Sequence, residues 1–428
     1  MYKTTITYLN HASVLLECDG HYIWTDPFYS SPAFGSWLSS PPLYINPSYL
    51  LSILISNPKK FLILISHGHD DHCDDKLISL FKNGHVATTS YESPGVVKRI
   101  SRAGFKEIIK LQDTEYEFGP FKLSGFVNKN YSRDDSIQMI TSEELSFIHA
   151  NDCWFEWDNY IWEKINKKKK GTIVHASQVQ NATGSYPFAY NNFSNAEAEI
   201  IQNQFILNHL NGVIKNFNKI KADHFLNYAG HVKIFSDNQK VNILSGSIEL
   251  NALRKMAKSI DTKFAEKILD MRAGDSFSNG LLTRGIGNLN TTEAQSKEAS
   301  VIFWEEYSEN LARDLPSTLS NNELSTLLRR FSNEFKKYVL TRTLDLDYFR
   351  EILKYKISIE ISNLDKVIIE FPEFSNSEPL EFTTAWKKNI AEGILTGKIN
   401  WEVSYVGANG VHSKNPGHNN DISVVRWL

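Results

Sequence analysis

The chain has 428 residues, 41% of them hydrophobic and 12% aromatic, with a formal net charge of -3. That length exceeds one ordinary core, so two domains are expected, and the near-balanced charge argues against general attraction to nucleic acid or membrane surfaces. No run approaches the roughly 20 apolar residues of a membrane span. Met1 to Tyr8 alternates like a strand instead of reading as a signal peptide. Cys18, Cys73 and Cys153 are odd in number and widely spaced, which does not suit a disulfide framework and points to a cytoplasmic setting.

In chain order, Ile6 to Glu17 and Tyr22 to Thr25 read as paired strands around the break Cys18-Asp19-Gly20-His21. Asp26-Pro27 ends the second, and a loop rich in Ser, Pro and aromatics runs to about Pro47. Tyr49 to Ser56 has helical periodicity. The apolar run Phe61 to Ile65 reads as a buried strand ending in Ser66. Asp74 to Phe81 is expected as a helix and Val86 to Thr89 as a short strand. Phe121 to Phe126, Ser136 to Thr141, Leu145 to His149 and Thr172 to His175 follow as strands, and Ala196 to Ile220 as a long helix. This order predicts a layered α/β sandwich over residues 1–245. Beyond it the character changes. Ile248 to Met271 and Glu323 to Tyr338 read as amphipathic helices, Gly274 to Thr292 as a loop or linker, Lys366 to Phe371 as a strand and Ala385 to Leu395 as a helix. Residues 246–428 are therefore expected to form a second, mostly helical α+β domain.

His67-Gly68-His69-Asp70-Asp71-His72 packs three imidazoles and two carboxylates beside a strand end, where backbone support limits their freedom. His67 and His69, two residues apart, can share a cation. Asp71 and His72 lie past the turn and can reach a second cation a few ångströms away. The plainer alternative is a helix start with Asp70 or Asp71 as its cap. Other groups carry two readings each. His11 is either a donor close to the metals or a satisfied core histidine, and Asp26 either orients a metal-bound histidine or caps its strand. Phe28, Tyr29, Phe34 and Trp37 either wall a cleft or pack back onto the sheet. Lys167 to Lys170 reads as a solvated turn or a contact for an anion, His149 as structural, and His412 and His418 as surface residues.

Ser66 to His72 matches the HxHxDH signature of the metallo-β-lactamase superfamily. Further segments resemble, in the same order, the catalytic domain of CMP-N-acetylneuraminate hydroxylase over about residues 5–240. They are Leu9-Asn10-His11-Ala12-Ser13, Thr25-Asp26-Pro27-Phe28, Pro32-Ala33-Phe34, Trp37, Asn151-Asp152-Cys153, the loop Ala182 to Pro187, and Tyr228-Ala229-Gly230. Metallo-phosphodiesterases acting on N-acylethanolamine phospholipids share the HxHxDH motif, the Asp-Pro segment and a similar opening.

The resemblance implies a four-layer αββα sandwich holding two divalent metal ions, zinc or iron. It implies His67 and His69 on the first ion, Asp71 and His72 on the second, and Asp152 bridging both. His231 sits where the superfamily often places its last histidine ligand, although the hydroxylases lack one there. The superfamily's third histidine for the first metal is missing from Asn128 to Asp135. Asn130, Asp134 or Asp135 can substitute through oxygen, which tilts a site toward iron or manganese, or the enzyme works with one metal.

The expected chemistry is hydrolysis of a phosphorylated or nucleotide-linked (amino)sugar-type small molecule by metal-activated water, with Asp71 as proton acceptor. The alternative is a diiron monooxygenase. The resembled hydroxylases draw electrons through a Rieske domain needing two Cys and two His, which three scattered cysteines do not supply, so a separate electron-transfer protein would serve. A phospholipid phosphodiesterase and an inactive binding module are the remaining readings.

Overall fold

The computed structural model describes residues 3–29, 32–40, 47–127, 135–179, 186–237, 241, 248–285, 311–343, 353, 355–371, 380–399 and 410–415. The strand Phe61–Ile65 is buried at every position because its two faces serve different cores. Leu62 and Leu64 point between two sheets, while Phe61, Ile63 and Ile65 point under helices. Around it an eight-stranded sheet runs in the order Leu281–Thr283, Ser276–Ser278, Thr5–Asn10, Ser13–Cys18, His21–Thr25, Phe61–Ile65, His85–Thr89, Ile109–Leu111. Its last four strands are parallel. A six-stranded sheet runs His224–Asn227, Thr172–Ser177, Leu145–Asn151, Ser136–Thr141, Phe121–Val127, Tyr116–Phe118. Ile6, Val14, Leu64, Leu123, Phe147 and Val174 fill the space between the sheets.

The helices Asp75–Ser79 and Gly95–Arg102 cover the first sheet through Leu77, Ile78, Val96 and Ile100. Asn159–Lys168 and Asn195–Lys219 cover the second through Ile161, Ile165, Leu210 and Val213. The first half is thus the expected four-layer αββα sandwich. The second domain is α+β: a sheet ordered Asp365–Ile369, Tyr355–Ile361, Leu380–Trp386, Gly410–Asn415 packs on the helices Asn321–Thr343 and Lys388–Leu395. Its core also takes in Tyr186 and Tyr190. A second link joins the halves, where Ala312 N donates to Gly35 O at 2.7 Å.

Several expectations change. Ile6 to Glu17 is two strands, because His11 adopts a left-handed backbone (φ 33) and turns the chain at His11-Ala12. Asp74 caps the helix that follows the His/Asp motif, accepting from Leu77 N, so neither Asp70 nor Asp71 does. Lys167 and Lys168 end the helix Asn159–Lys168, and the run is engaged locally: Lys168 bonds Ser124 Oγ, Lys169 bonds Ile220 O and Lys170 pairs with Glu143. His412 is buried, since its strand pairs with Leu380–Trp386 and its amide donates to Ala189 O. Asn128 to Asp134, Ala182 to Ser185 and His418 lie outside the described residues. The hairpin Ser276–Ser278 with Leu281–Thr283 extends the first sheet beyond residue 245, and on that pairing we propose a domain boundary between 285 and 311. Among the described residues no helix is long and apolar enough to cross a membrane.

Candidate metal centre

The two sheets bring their carboxyl-terminal strand ends together, the usual place for a site in a parallel sheet. His67 follows Phe61–Ile65, Asp26 follows His21–Thr25, and Asp152 follows Leu145–Asn151. Two groups of donors result. His67, His69 and Asp152 form one, and His11, Asp71 and His72 the other, with the ligand atoms in each within 4.8 Å of one another. Asp152 spans them: Oδ2 stands 3.7 Å from His67 Nε2, and Oδ1 stands 3.4 Å from His72 Nε2. Within the groups, His67 Nε2 and His69 Nδ1 are 2.7 Å apart, and His11 Nε2 is 3.1 Å from Asp71 Oδ2. Asp135 Oδ1 lies 3.9 Å from His67 Nε2.

The supports are equally specific. Ser66 N donates to Asp26 Oδ1 at 2.7 Å, and Ser66 Oγ donates to Asp26 Oδ2 at 2.6 Å. His72 Nδ1 meets the same Oδ2 at 2.7 Å, which turns Nε2 toward the donors. Arg99 donates to Gly68 O, between the paired histidines, and ion-pairs with Asp70 and Asp75. Phe34 N donates to Asp70 Oδ2 at 3.1 Å, and its ring stands edge-on to His69. Three non-glycine residues in left-handed backbone, His11, Asp26 and Asn151, surround the centre. Such strain costs about 1–3 kcal/mol each and persists where surrounding contacts over-determine it.

Burial alone would raise the Asp71 carboxyl, but His72 and the contact with His11 outweigh it and hold Asp71 below the usual carboxylate range. Burial pushes His67 well down, reinforced by the neighbouring imidazoles, so it presents a neutral ring. At His72 burial opposes protonation, yet Asp71, Asp152 and Asp26 prevail and raise it well above its ordinary value. Positive charge is therefore favoured at the centre of the carboxylates.

The residues fit a pair of divalent cations. Asp71 Oδ1, His72 Nε2, Asp152 Oδ1 and His11 Nδ1 are buried atoms without a hydrogen-bond partner. Each such atom costs about 1–3 kcal/mol if left unpaired, and the three from Asp71, His72 and Asp152 belong to the donor set a cation would satisfy. Imidazole nitrogens and carboxylate oxygens suit zinc and iron alike.

The structure brings together His67, His69, Asp71, His72 and Asp152. It does not bring His231 into either group; that ring stands edge-on to Tyr8 at 5.9 Å. His11, read from sequence as either a donor close to the metals or a core histidine, stands in the second group, with Nε2 3.1 Å from Asp71 Oδ2. Asp26 takes the orienting role, and Phe28, Phe34 and Trp37 are buried, packing back against the fold.

Residues 5–159 match the family model described as "Beta-lactamase superfamily domain". Solved structures similar to the chain include Igni18, a novel metallo hydrolase from Ignicoccus hospitalis. It is 14% identical at a TM-score of 0.41, over 64% of this chain and 98% of that one. CmlA, a diiron β-hydroxylase from Streptomyces venezuelae, is 12% identical at a TM-score of 0.41, over 64% of this chain. The match spans about half of CmlA, 53% of its length. An isothiocyanate hydrolase from Delia radicum gut bacteria is 15% identical at a TM-score of 0.41, over 64% of this chain and 99% of that one.

Proposed function

We propose that the chain is a metal-dependent hydrolase in which two divalent cations are held by His67, His69, Asp71, His72 and Asp152. His11 joins the second group. The observation that carries this reading is Asp152, which offers one oxygen to each donor group at 3.7 Å and 3.4 Å from their histidines. When bound, two cations supply Lewis acidity and bring the pKa of a water toward neutrality.

The chain's own side chains do the rest. Asp152 is partly exposed, so it can join the two groups and still border the opening. Asp71 is buried within the second donor group with Oδ1 unpaired, which leaves that oxygen free to accept a proton and return it to a leaving group. Asp26 fixes the ring of His72 and Arg99 fixes the backbone between His67 and His69. The substrate class of this reading is a phosphorylated or nucleotide-linked (amino)sugar, supported by the motif resemblance. A cytoplasmic setting is supported by three unbridged cysteines.

One observation favours a second reading. Asp135 stands beside His67, near the place of the absent third histidine, so the first group is richer in oxygen than a purely imidazole site. That tilts the donor set toward iron and an oxygenase fed by a separate electron-transfer protein.

Metal analysis of the purified full chain tests both. Two equivalents of zinc, with hydrolysis of nucleotide-sugar phosphoesters, is the expected result. Two equivalents of iron with reductant-dependent oxygen consumption would select the second reading, and a chain that binds no divalent cation would end both. Asp71→Asn is expected to lower turnover by at least about 100-fold while the protein stays folded. Turnover close to wild type would mean that Asp71 is not the proton acceptor.

A further inference from the structure

Behind the metal centre a line of sealed polar side chains runs from one sheet into the other. His72 Nδ1 meets Asp26 Oδ2 at 2.7 Å. His149 Nε2 stands 3.0 Å from the same oxygen, bent away from ideal hydrogen-bond alignment. At the far side of that ring, His149 Nδ1 is hydrogen-bonded to Tyr228 Oη. Asp26, His72, His149 and Tyr228 are all 0% exposed, so water does not compete for these contacts.

The chemistry of the four groups gives the line a direction. An ionised carboxylate only accepts, so His72 must present Nδ1–H to Asp26, which leaves Nε2 as the nitrogen that gives up its proton when a cation takes its lone pair. Facing the same carboxylate, His149 is best placed with Nε2–H toward it. Its Nδ1 must then accept, and Tyr228 is the donor. The phenol thus selects the His149 tautomer, and His149 stabilises the buried charge that selects the His72 tautomer. Without His149, Asp26 would keep Ser66 and His72 but lose one of its two imidazole neighbours, in a place where an under-compensated charge is expensive.

We propose that His149 and Tyr228 are positioning residues of the metal centre, acting through Asp26 to hold His72 with Nε2 open to a cation. The proposal rests on reading the centre as a metal site. Partners at this remove from a ligand are expected to act on cation affinity more than on folding, with changes on the order of 10-fold.

The test uses the full chain stripped with a chelator and titrated with zinc against a chromophoric competitor, alongside thermal melts. Wild type is expected to take up two equivalents. Tyr228→Phe removes one hydroxyl and is expected to weaken one binding step about 10-fold and leave the other in place. His149→Phe should weaken the same step at least as much, and His149→Gln, which keeps a donor for Asp26, should recover part of the loss. Unchanged affinity in Tyr228→Phe would overturn the proposal while leaving the metal reading intact. An equal loss at both steps that follows a fall in melting temperature would also overturn it, by making the role structural. If His149→Phe does not fold, Tyr228→Phe decides alone. Failure of wild type to bind zinc, iron or manganese would instead defeat the metal reading itself.

Discussion

His11 and Asp71 illustrate what a sequence can and cannot tell about a site. Asp71 lies in a six-residue motif next to His72, which it joins in space, so its place in the cluster is readable locally. His11 depends on a backbone turn with φ 33 and on the pairing of strands that carry it to Asp71, neither of which has a local signature. His231 fails for the converse reason: its position relative to a strand suggests a ligand, but its ring lies against Tyr8. If His11 is a donor, His11→Ala should weaken cation binding at the Asp71–His72 group by at least about 10-fold, measured by chelator competition.

A second carboxylate makes a separate prediction. Glu392 accepts from Leu319 N, Thr318 Oγ1, Thr318 N and Ser317 Oγ, and these bonds lower its carboxyl from the ordinary 4.5 to about 2. A group depressed on folding stabilises the protein above its unfolded value and loses that contribution as the pH falls through the folded one. The melting temperature should therefore decline between about pH 4.5 and 2. Glu392→Gln should be less stable than wild type at neutral pH, with the gap closing across that interval. A constant gap would exclude Glu392 as the cause.

Among the elements, those with strong periodicity were the readable ones. Phe61–Ile65 and Asn195–Lys219 stand within a residue or so of expectation, because continuous apolar character and helical spacing are properties of the segment itself. Trp37–Ser39 pairs with Val232–Ile234 across almost 200 residues of chain, and three-residue strands carry no usable period. The helix Gly95–Arg102 has no counterpart among the elements expected from sequence, although its Arg99 braces the loop between His67 and His69. The long helix also contains a sensitive point. A Cβ at Gly212 would lie 2.4 Å from Trp154 O and 3.0 Å from Phe155 Cα. Gly to Ala in a helix ordinarily gains about 1 kcal/mol. Here contact with backbone atoms should exceed that gain, and Gly212→Ala is expected to lose about 1–2 kcal/mol in urea denaturation. A more stable variant would show that the helix shifts at little cost.

At the scale of the molecule, the αββα sandwich was legible because alternating strands and helices admit few arrangements, whereas the contact between halves was not. Tyr186 and Tyr190 belong by sequence to the first half and by packing to the core of the second. Lys387 also ion-pairs with Asp237 across the same junction. These contacts predict one calorimetric unfolding transition for the full chain, and two well-separated peaks would count against coupling. Tyr190→Ala should lower that single transition as a unit.

The bond from Ala312 N to Gly35 O reaches further than its size suggests. Gly35 follows Phe34, whose amide holds Asp70, and Asp70 belongs to the motif that supplies the histidines. Tail and His/Asp donor loop are thus tethered by a short mechanical lever. Chimaeras spliced from this front half and a foreign rear half would inherit every candidate donor yet lose the brace that keeps them aligned. Supplying the missing rear half in trans should then restore cation uptake.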